Sequence, residues 1–504
     1  MNIMTAIKKT AANTNYAETE NGALGYEGHE SAIVNFFYQV ASMRNWDAVK
    51  KESAFLKALG EDRELALRML FYIRDIRKGL GERQLFRDAF DVLGDDEVRA
   101  LIKLVPEYGR WDDVLDIIRS DGMKEETRES IVKWLHDVIE EDLEKARSGK
   151  GGLTLLAKWL PSIRKVSKDK VKMAKYLAGQ WGWDERTYRK NLATLRSALR
   201  VVERSMSAKE WDSIDFGAVP SKAAKNYRQA FMKHDEARYR SYLDGLSKGT
   251  EKVNAGAIFP YEIVHEYIKN RWDTDDFIES QWKALPLPGG LLKNAIVVRD
   301  GSGSMTVPIS GTVTAEEVAT SLAILMSENL SGEFKDKFIT FSECPRFVDL
   351  SGCKTLRDKV EIAMNEAECA NTNIERTMNL ILDAAIDHGI PQEEIPTVVI
   401  VSDMEFDCAI DWNERNKPLF KTIAETWEHS GYKLPKIVFW NVNSRTGVVP
   451  LQENENGLIL VSGFSQNILD MLNGSGSMLE ILRKKLSDKR YDPISEALKG
   501  AAKA

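Results

Sequence analysis

The chain has 504 residues, of which 43% are hydrophobic and 29% charged, with 14 prolines and 33 glycines. This length predicts more than one domain, and the composition excludes disordered, fibrous and collagen-like proteins. The net charge of −7 speaks by itself against a nucleic-acid partner. No apolar run is long enough to span a membrane. Four scattered cysteines exclude a disulfide framework or a zinc site and predict a reducing cytoplasm.

The first part of the chain has helical patterns. Residues 1–28 are polar, lack the apolar core of a signal peptide and are predicted to be a mobile N-terminal segment. From 29 to 285 the apolar residues recur at helical spacing, as in 64–77 and 130–145. Short polar breaks separate these stretches without a strict repeat period. The sequence therefore predicts an all-α, HEAT-like helical-repeat domain over 29–285.

Basic residues are concentrated late in this helical region. Between Lys158 and Lys252 there are 22 Lys or Arg and 11 Asp or Glu residues, so this segment carries +11 and the rest of the chain −18. Taken as one helix, 186–204 has six basic residues on a stripe opposite Tyr188 and several leucines. Such a stripe suits phosphate contacts. It equally suits a solvated helix or an acidic partner within the chain.

After the Pro/Gly-rich segment 285–290 the pattern changes to short apolar runs that alternate with helical stretches. The predicted strands are 294–299, 337–341, 396–402, 436–441 and 457–461, and the predicted helices are 315–330, 354–363, 374–387, 419–429 and 466–472. This alternation predicts a Rossmann-like α/β domain with a mainly parallel sheet over 291–475, followed by a helical tail over 476–504. Ligands of such sheets bind at the carboxyl ends of the strands.

A motif of the form DxSxS follows the first predicted strand, at Asp300, Ser302 and Ser304. Its carboxylate and hydroxyl oxygens suit a hard divalent cation, Mg²⁺ or alternatively Mn²⁺ or Ca²⁺. Thr372 precedes a predicted helix and Asp403 follows another buried strand, so both are expected at the same edge of the sheet. The alternative is a capping serine and a turn aspartate without a metal.

A catalytic metal is a further alternative, because Glu405 and Asp407 supply extra carboxylates close to Asp403. No histidine lies near the motif in sequence, and no nucleophile elbow is visible. The serines are therefore interpreted as ligands rather than nucleophiles, and the protein as a non-enzyme. Arg299 stands where an apolar residue is expected, and it is predicted to lie at the rim of the site.

The set Asp300, Ser302, Ser304, Thr372 and Asp403 resembles the metal-ion-dependent adhesion site (MIDAS) of von Willebrand factor type A domains, over about 291–475. The resemblance implies that both serines bind the ion directly and that the threonine binds directly or through water. The two aspartates are implied to act mainly through water. The resemblance also implies an open coordination position, which an acidic residue of a protein partner completes.

The stretches RDIRKGLGERQLFR and PEYGRWDDVL, followed by this domain, resemble the TROVE (Ro autoantigen) family of RNA-binding proteins. A plainer role for residues 74–83, within the first stretch, is a helix–helix corner held by Arg–Asp pairs. The stretches TENGALGYE, KWLPSIRK, MSAKEWDSIDFGAVPSKA, AFMKHDEARY, VSDMEFD and LVSGFS are similar to a related uncharacterised family of the same layout in phages, bacteria and eukaryotes.

The TROVE resemblance implies a ring of helical repeats. Its central hole takes single-stranded ends of misfolded RNA, and its outer surface binds small structured non-coding RNA. The basic region is thereby implied to contact RNA. The predicted RNA-binding residues are Arg164, Lys165, Lys168, Lys170, Lys172, Arg186, Arg189, Lys190, Arg196, Arg200, Arg204, Lys222, Lys225 and Arg228.

Two functional hypotheses follow from the sequence. In the first, the protein is a non-catalytic RNA-binding protein whose metal site holds a protein partner or closes the ring. In the alternative, it is a metal-dependent assembly scaffold, phage- or virion-associated, that binds no RNA.

Overall fold

The structure is a computed structural model, and it describes residues 15–164, 166–199, 201–269, 274–287, 292, 294–341, 345–366 and 373–501. The chain forms two compact units. The sheet unit contains residues 1–69, 78–80 and 258–488, and the helical unit contains residues 70–77, 81–257 and 489–504. Neither unit is a continuous stretch of chain, whereas the domains predicted from sequence are consecutive.

The helical N-terminal region and the C-terminal sheet are both present. The α-helices are α1 (Ala32–Tyr38), α2 (Ala48–Glu61), α3 (Arg63–Arg74), α4 (Gln84–Asp88), α5 (Asp95–Leu101), α6 (Val105–Tyr108), α7 (Trp111–Ile117), α8 (Glu125–Arg147), α9 (Leu156–Trp159), α10 (Lys168–Gln180), α11 (Glu185–Ala198), α12 (Val202–Ala208), α13 (Ser221–His234), α14 (Glu236–Lys248), α15 (Pro260–Lys269), α16 (Asp276–Lys283), α17 (Ala315–Asn329), α18 (Leu356–Asn365), α19 (Ile374–His388), α20 (Leu419–His429), α21 (Met478–Leu486) and α22 (Asp492–Ala501). The strands are β1 (Tyr16–Glu18), β2 (Leu24–Tyr26), β3 (Ala295–Asp300), β4 (Pro308–Ser310), β5 (Val313–Thr314), β6 (Lys337–Phe341), β7 (Arg346–Asp349), β8 (Thr397–Ser402), β9 (Ile437–Asn441) and β10 (Leu458–Ser462). In the part of the chain that the structure describes, no helix has the length and apolar character needed to cross a membrane.

A six-stranded mixed sheet forms the centre of the sheet unit, with strand order β10-β9-β8-β3-β6-β7. The first five strands of this order are parallel, and β7 pairs antiparallel with β6. Strands β3 and β8 are almost entirely buried, as expected for parallel strands covered on both faces. The five predicted strands are confirmed. Strand β7 escaped prediction because it lies at the edge, is mostly exposed and therefore has no apolar run.

A short N-terminal hairpin belongs to the sheet unit. Strands β1 and β2 pair antiparallel, and two isolated bridges join Gly22 to Asp407 and Tyr26 to Val449. Gly25 lies so close to this second contact that an added Cβ would be 2.4 Å from a side-chain carbon of Val448, so glycine is required there. Residues 15–28 were predicted to be mobile, but these backbone contacts, which composition does not reveal, hold them in place.

The helical unit contains the predicted basic helix in two pieces. The expectation of one helix over 186–204 is wrong, because α11 ends at Ala198 and α12 starts at Val202. Val201 between them has an extended backbone, which suits its β-branched side chain. Arg204 therefore does not continue the stripe of α11.

A buried ion cluster lies in the same unit. Asp113 is fully buried and accepts hydrogen bonds from Arg74 Nη2 at 2.7 Å and from Arg87 Nε at 2.8 Å. The backbone N–H of Arg110 donates to the same carboxylate at 2.8 Å. Arg74 forms an Arg–Asp pair, as the plainer interpretation of residues 74–83 predicted, but its partner Asp113 lies outside that segment. We call Asp113 with its two arginines the Asp113 cluster.

Candidate functional site

Two neighbouring parallel strands bring the predicted metal residues to one edge of the sheet. Asp300 ends β3, and Asp403 follows β8, which pairs with β3 in parallel. Because the carboxyl ends of parallel strands lie at the same edge, the two carboxylates meet there. Ser302 and Ser304 lie in the turn that follows β3.

The side chains of this turn form a connected set. Asp300 Oδ1 accepts a hydrogen bond from the backbone N–H of Ser302 at 2.9 Å, and the hydroxyl oxygens of Ser302 and Ser304 are 3.0 Å apart. The Ser304 hydroxyl also lowers the pKa of the Asp403 carboxyl, so these two side chains lie close together. The structure thus brings together four of the five predicted ligands, and we call these four the strand-end cluster. The fifth, Thr372, lies outside the described residues.

Both carboxylates of the strand-end cluster are fully buried. Burial, and then the charge of Asp403, raise the pKa of Asp300 to about 7. Burial also raises the pKa of Asp403, although the Arg445 guanidinium opposes this effect. Two buried carboxylates this close disfavour each other's ionised form, and a bound cation relieves that cost.

The donor set fits a hard divalent cation. Two carboxylates and two hydroxyls supply only oxygen ligands, which Mg²⁺, Mn²⁺ and Ca²⁺ prefer. Asp300, Ser302, Ser304 and Asp403 would hold such an ion. Within the described ranges there is no group of three or more His, Cys, Asp or Glu side chains arranged to hold a metal.

Sequence reasoning missed two side chains beside the cluster. The Ser402 hydroxyl donates to Asp300 Oδ2 at 2.5 Å, and Arg445 Nη1 donates to Asp403 Oδ2 at 3.0 Å. Ser402 carries a weak signal, because it is the one polar residue between an apolar run and Asp403. Arg445 carries none, because only the fold brings its loop to β8.

The predicted position of Arg299 at the rim of the site is wrong. Its side chain is fully buried, and its Nη1 donates to the Thr320 hydroxyl at 2.8 Å. The reason is strand geometry, because consecutive residues of β3 point to opposite faces of the sheet. Asp300 faces the site, so Arg299 faces away from it.

The helical unit contains a second candidate site, a cavity of about 910 Å³. We call it the basic pocket. Its charged lining consists of the basic residues Arg83, Arg87, Arg119, Lys158, Lys170, Arg196 and Arg204 and the acidic residues Asp112, Asp116 and Glu203. Trp159, Leu160 and Met173 supply part of an apolar wall. Arg83, Arg119 and Trp159 were missed, because they come from elements far apart in sequence.

The predicted RNA-binding residues are only partly gathered by the basic pocket. Three of them, Lys170, Arg196 and Arg204, line it. Exposed side chains elsewhere on the unit are Arg164, Lys168, Lys172, Arg186, Arg189 and Lys190, and half-buried ones on α13 are Lys222, Lys225 and Arg228. Lys165 and Arg200 lie outside the described residues.

Arg196 does not point outward as the helical stripe predicted. It is half-buried, and its guanidinium donates to the carbonyl oxygens of Ala157 at 2.9 Å and Leu160 at 2.7 Å. Its third partner is the Ser162 hydroxyl at 3.2 Å. All three partners are neutral, and no carboxylate of the described chain pairs with it. Its positive charge therefore remains available to an anion in the basic pocket.

Comparison with known proteins gives the family of the chain. Residues 294–499 match the family described as domain of unknown function DUF7788, and residues 19–106 and 183–286 match domain of unknown function DUF2828. The crystal structure of the Deinococcus radiodurans Ro (RSR) protein aligns over 86% of this chain and 92% of its own, with 14% identity and a TM-score of 0.38. The uncharacterized protein L728 of Acanthamoeba polyphaga mimivirus is 31% identical over an alignment of 494 positions, which covers 90% of this chain and 84% of that protein. The chain therefore belongs to the same protein family as mimivirus L728.

Proposed function

We propose that the protein is a non-catalytic binding protein, whose sheet unit holds a divalent cation in an adhesion site of the von Willebrand A type. Through this cation it binds an acidic group of a protein partner. The observation that carries the proposal is the strand-end cluster, in which two buried carboxylates and two serine hydroxyls meet at the ends of neighbouring parallel strands.

Binding is favoured over hydrolysis by the state of the nearest further carboxylate. Glu405 is fully buried and accepts hydrogen bonds from the backbone N–H groups of Arg445 at 2.7 Å and Thr446 at 2.9 Å. A general base must reach a water molecule or substrate proton with a free lone pair. Glu405 instead serves to fix a loop.

The segment that follows Asp403 in sequence supports a protein partner. The loop that begins at Asp403 exposes two large apolar side chains, Ile410 at 48% and Trp412 at 75%. Exposed tryptophans surrounded by polar residues are typical of protein interfaces. Among the described residues, Cys353 and Cys408 are free thiols, as the proposed site of action in a reducing cytoplasm requires.

Calorimetric titration of the full chain with Mg²⁺ and Mn²⁺ tests the metal site. We expect one ion per chain, and loss of at least tenfold in affinity when Ser302→Ala and Ser304→Ala are combined. Ser310→Ala is the matched control, because this serine is exposed on the nearby strand β4. Equal affinity in the double variant and the wild type would show that the cluster is not the site.

RNA binding by the helical unit is a second function that the basic pocket favours. Arg196 has only neutral partners, and Lys170 and Arg83 line the same cavity. Unpaired cations bind phosphates, and the Trp159 ring offers a face on which a base stacks. The alternative, a metal-dependent scaffold without RNA, leaves this positive charge without a role.

Binding of single-stranded RNA at several salt concentrations tests the second function. We expect affinity to fall steeply as salt rises, and Lys170→Gln and Arg196→Gln each to weaken binding about two- to tenfold. Lys103→Gln is the control, because it removes one exposed charge of the same unit away from the pocket. A purified protein that carries no RNA by its 260/280 nm absorbance ratio and does not bind RNA at low salt would favour the scaffold.

A further inference from the structure

A fixed loop lies beside the strand-end cluster. Glu405 Oε1 accepts hydrogen bonds from the Ser444 hydroxyl at 3.1 Å and from the backbone N–H groups of Arg445 at 2.7 Å and Thr446 at 2.9 Å. Glu405 is two residues from Asp403 and fully buried. The backbone at Arg445 is therefore tied to the strand end that carries the metal residues.

The Arg445 side chain joins two carboxylates of different accessibility. Its Nη1 donates to Asp403 Oδ2 at 3.0 Å, and its Nε donates to Glu20 Oε2 at 2.6 Å. The side chain of Asp403 is fully buried, whereas that of Glu20 is 49% exposed. Exposed ion pairs contribute little to stability, so the contact with Glu20 is the one that solvent or another acid can replace.

The turn that carries Glu20 is held in place by hydrogen bonds that do not involve the Glu20 side chain. The backbone N–H of Glu20 donates to Glu405 Oε2 at 2.9 Å, and the Asn21 amide donates to the carbonyl oxygen of Glu405 at 2.7 Å. The Thr19 hydroxyl donates to the carbonyl oxygen of Phe406 at 2.6 Å. The Glu20 carboxylate can therefore leave Arg445 while the turn stays docked.

We propose that Arg445 is the residue that recognises the carboxylate of an incoming acidic side chain, and that Glu20 occupies it as an internal competitor. This inference rests on the proposed function, in which the cation beside Arg445 binds the same acidic group. An acid that reaches both the cation and the guanidinium has two anchors, whereas Glu20 contacts one guanidinium nitrogen at 2.6 Å.

Glu20 lowers the affinity for the partner without preventing the partner from binding. The Glu20 carboxylate is tethered, so it competes at an effective concentration in the millimolar range. The partner's apparent affinity is its intrinsic affinity multiplied by the fraction of protein in which Arg445 is not occupied by Glu20. A single free carboxylate is therefore a poor ligand. A partner that also covers the surrounding surface displaces Glu20.

Acetate is the probe that tests this inference. In the full chain loaded with Mn²⁺, water-proton relaxation reports the exchangeable water on the ion, and acetate displaces that water. We expect half-saturation at several-fold lower acetate in Glu20→Gln than in the wild type. Glu18→Gln is the matched control, because it removes the same charge from an exposed position of the same hairpin. Arg445→Gln is expected to raise the half-saturation concentration, with the Mn²⁺ affinity of each variant measured separately.

Equal half-saturation in the wild type and Glu20→Gln overturns the inference while leaving the metal site intact. If the wild type binds no Mn²⁺, the proposed function fails instead. In that case, nuclear magnetic resonance of the Arg445 Nε–H signal in metal-free protein tests whether Glu20 competes with acetate for Arg445. A shift at lower acetate in Glu20→Gln than in Glu18→Gln supports Glu20 as the competitor, and identical titrations contradict it.

Discussion

Each unit of the molecule buries carboxylates, but the two units balance that charge differently. In the helical unit, Asp113 receives two arginine side chains and one backbone N–H. In the sheet unit, Asp300 and Asp403 share a site that one guanidinium, from Arg445, contacts. Where the chain supplies its own cations, the buried carboxylate is structural. Where it leaves negative charge in excess, the arrangement is suited to a cation from outside.

The largest expected effect is on the Asp113 cluster. Asp113→Asn leaves the buried Arg74 without its counter-ion, and breaking a buried pair in this way costs about 3–5 kcal/mol. Urea unfolding followed by circular dichroism measures the loss, which we expect to be the same with and without Mg²⁺. Asp116→Asn, at a half-exposed partner of Arg87, is the control. A comparable loss in the free energy of unfolding in both variants would contradict the structural role of the Asp113 cluster.

The pH dependence of the metal-free protein gives the next largest effect. The pKa of Asp300 is raised to about 7 in the folded protein, whereas an aspartate in an unfolded chain has a pKa of about 3.9. The folded state binds more protons between these values, so the free energy of unfolding falls as pH rises from about 4 to about 7. We expect a fall on the order of 1–4 kcal/mol in denaturant titrations.

Saturating Mg²⁺ is expected to remove this fall, because the ion stabilises the ionised carboxylates. Asp300→Asn is expected to flatten the profile without metal and to raise stability near pH 8, the opposite sign to Asp113→Asn. A profile that Asp300→Asn leaves unchanged would assign the dependence to other groups.

The smallest effect is expected at Ser402, which orients Asp300 without belonging to the ligand set. Ser402→Ala removes the hydroxyl that donates to Asp300 Oδ2. Loss of such an orienting partner typically lowers metal affinity about 10–100-fold. Calorimetry with Mn²⁺ measures the change, and Ser402→Thr, which keeps a hydroxyl, is expected to retain more of the affinity. No difference between the two variants would mean that the hydrogen bond is not used.

The strand-end cluster was largely predictable because its signals are local. Apolar runs mark the buried strands, and Asp300 and Asp403 stand directly at their ends. Parallel pairing then brings these ends together by a general rule of α/β sheets. Ser302 and Ser304 belong to the same short motif, so no long-range contact had to be inferred.

The surroundings of both sites were not predictable for the opposite reason. Arg445 reaches Asp403 from a loop after β9, and Glu20 comes from the other end of the chain. The basic pocket combines Trp159 with Arg196 and Arg83, which no periodicity connects. The break between α11 and α12 depends on the backbone at Val201, which a helical stripe of basic residues does not reveal.

Because N-terminal residues belong to the sheet unit, they determine which fragments of the protein can fold. Asn441 donates to the carbonyl oxygen of Tyr38 at 2.9 Å, Gln39 donates to that of Gly447 at 2.7 Å, and the backbone N–H of Ala41 donates to the Ser462 hydroxyl at 2.9 Å. A fragment cut at the Pro/Gly-rich segment would retain every described metal residue yet expose these polar groups and the apolar surface under α1. Such a truncation is expected to aggregate, so loss of binding in it says nothing about the site.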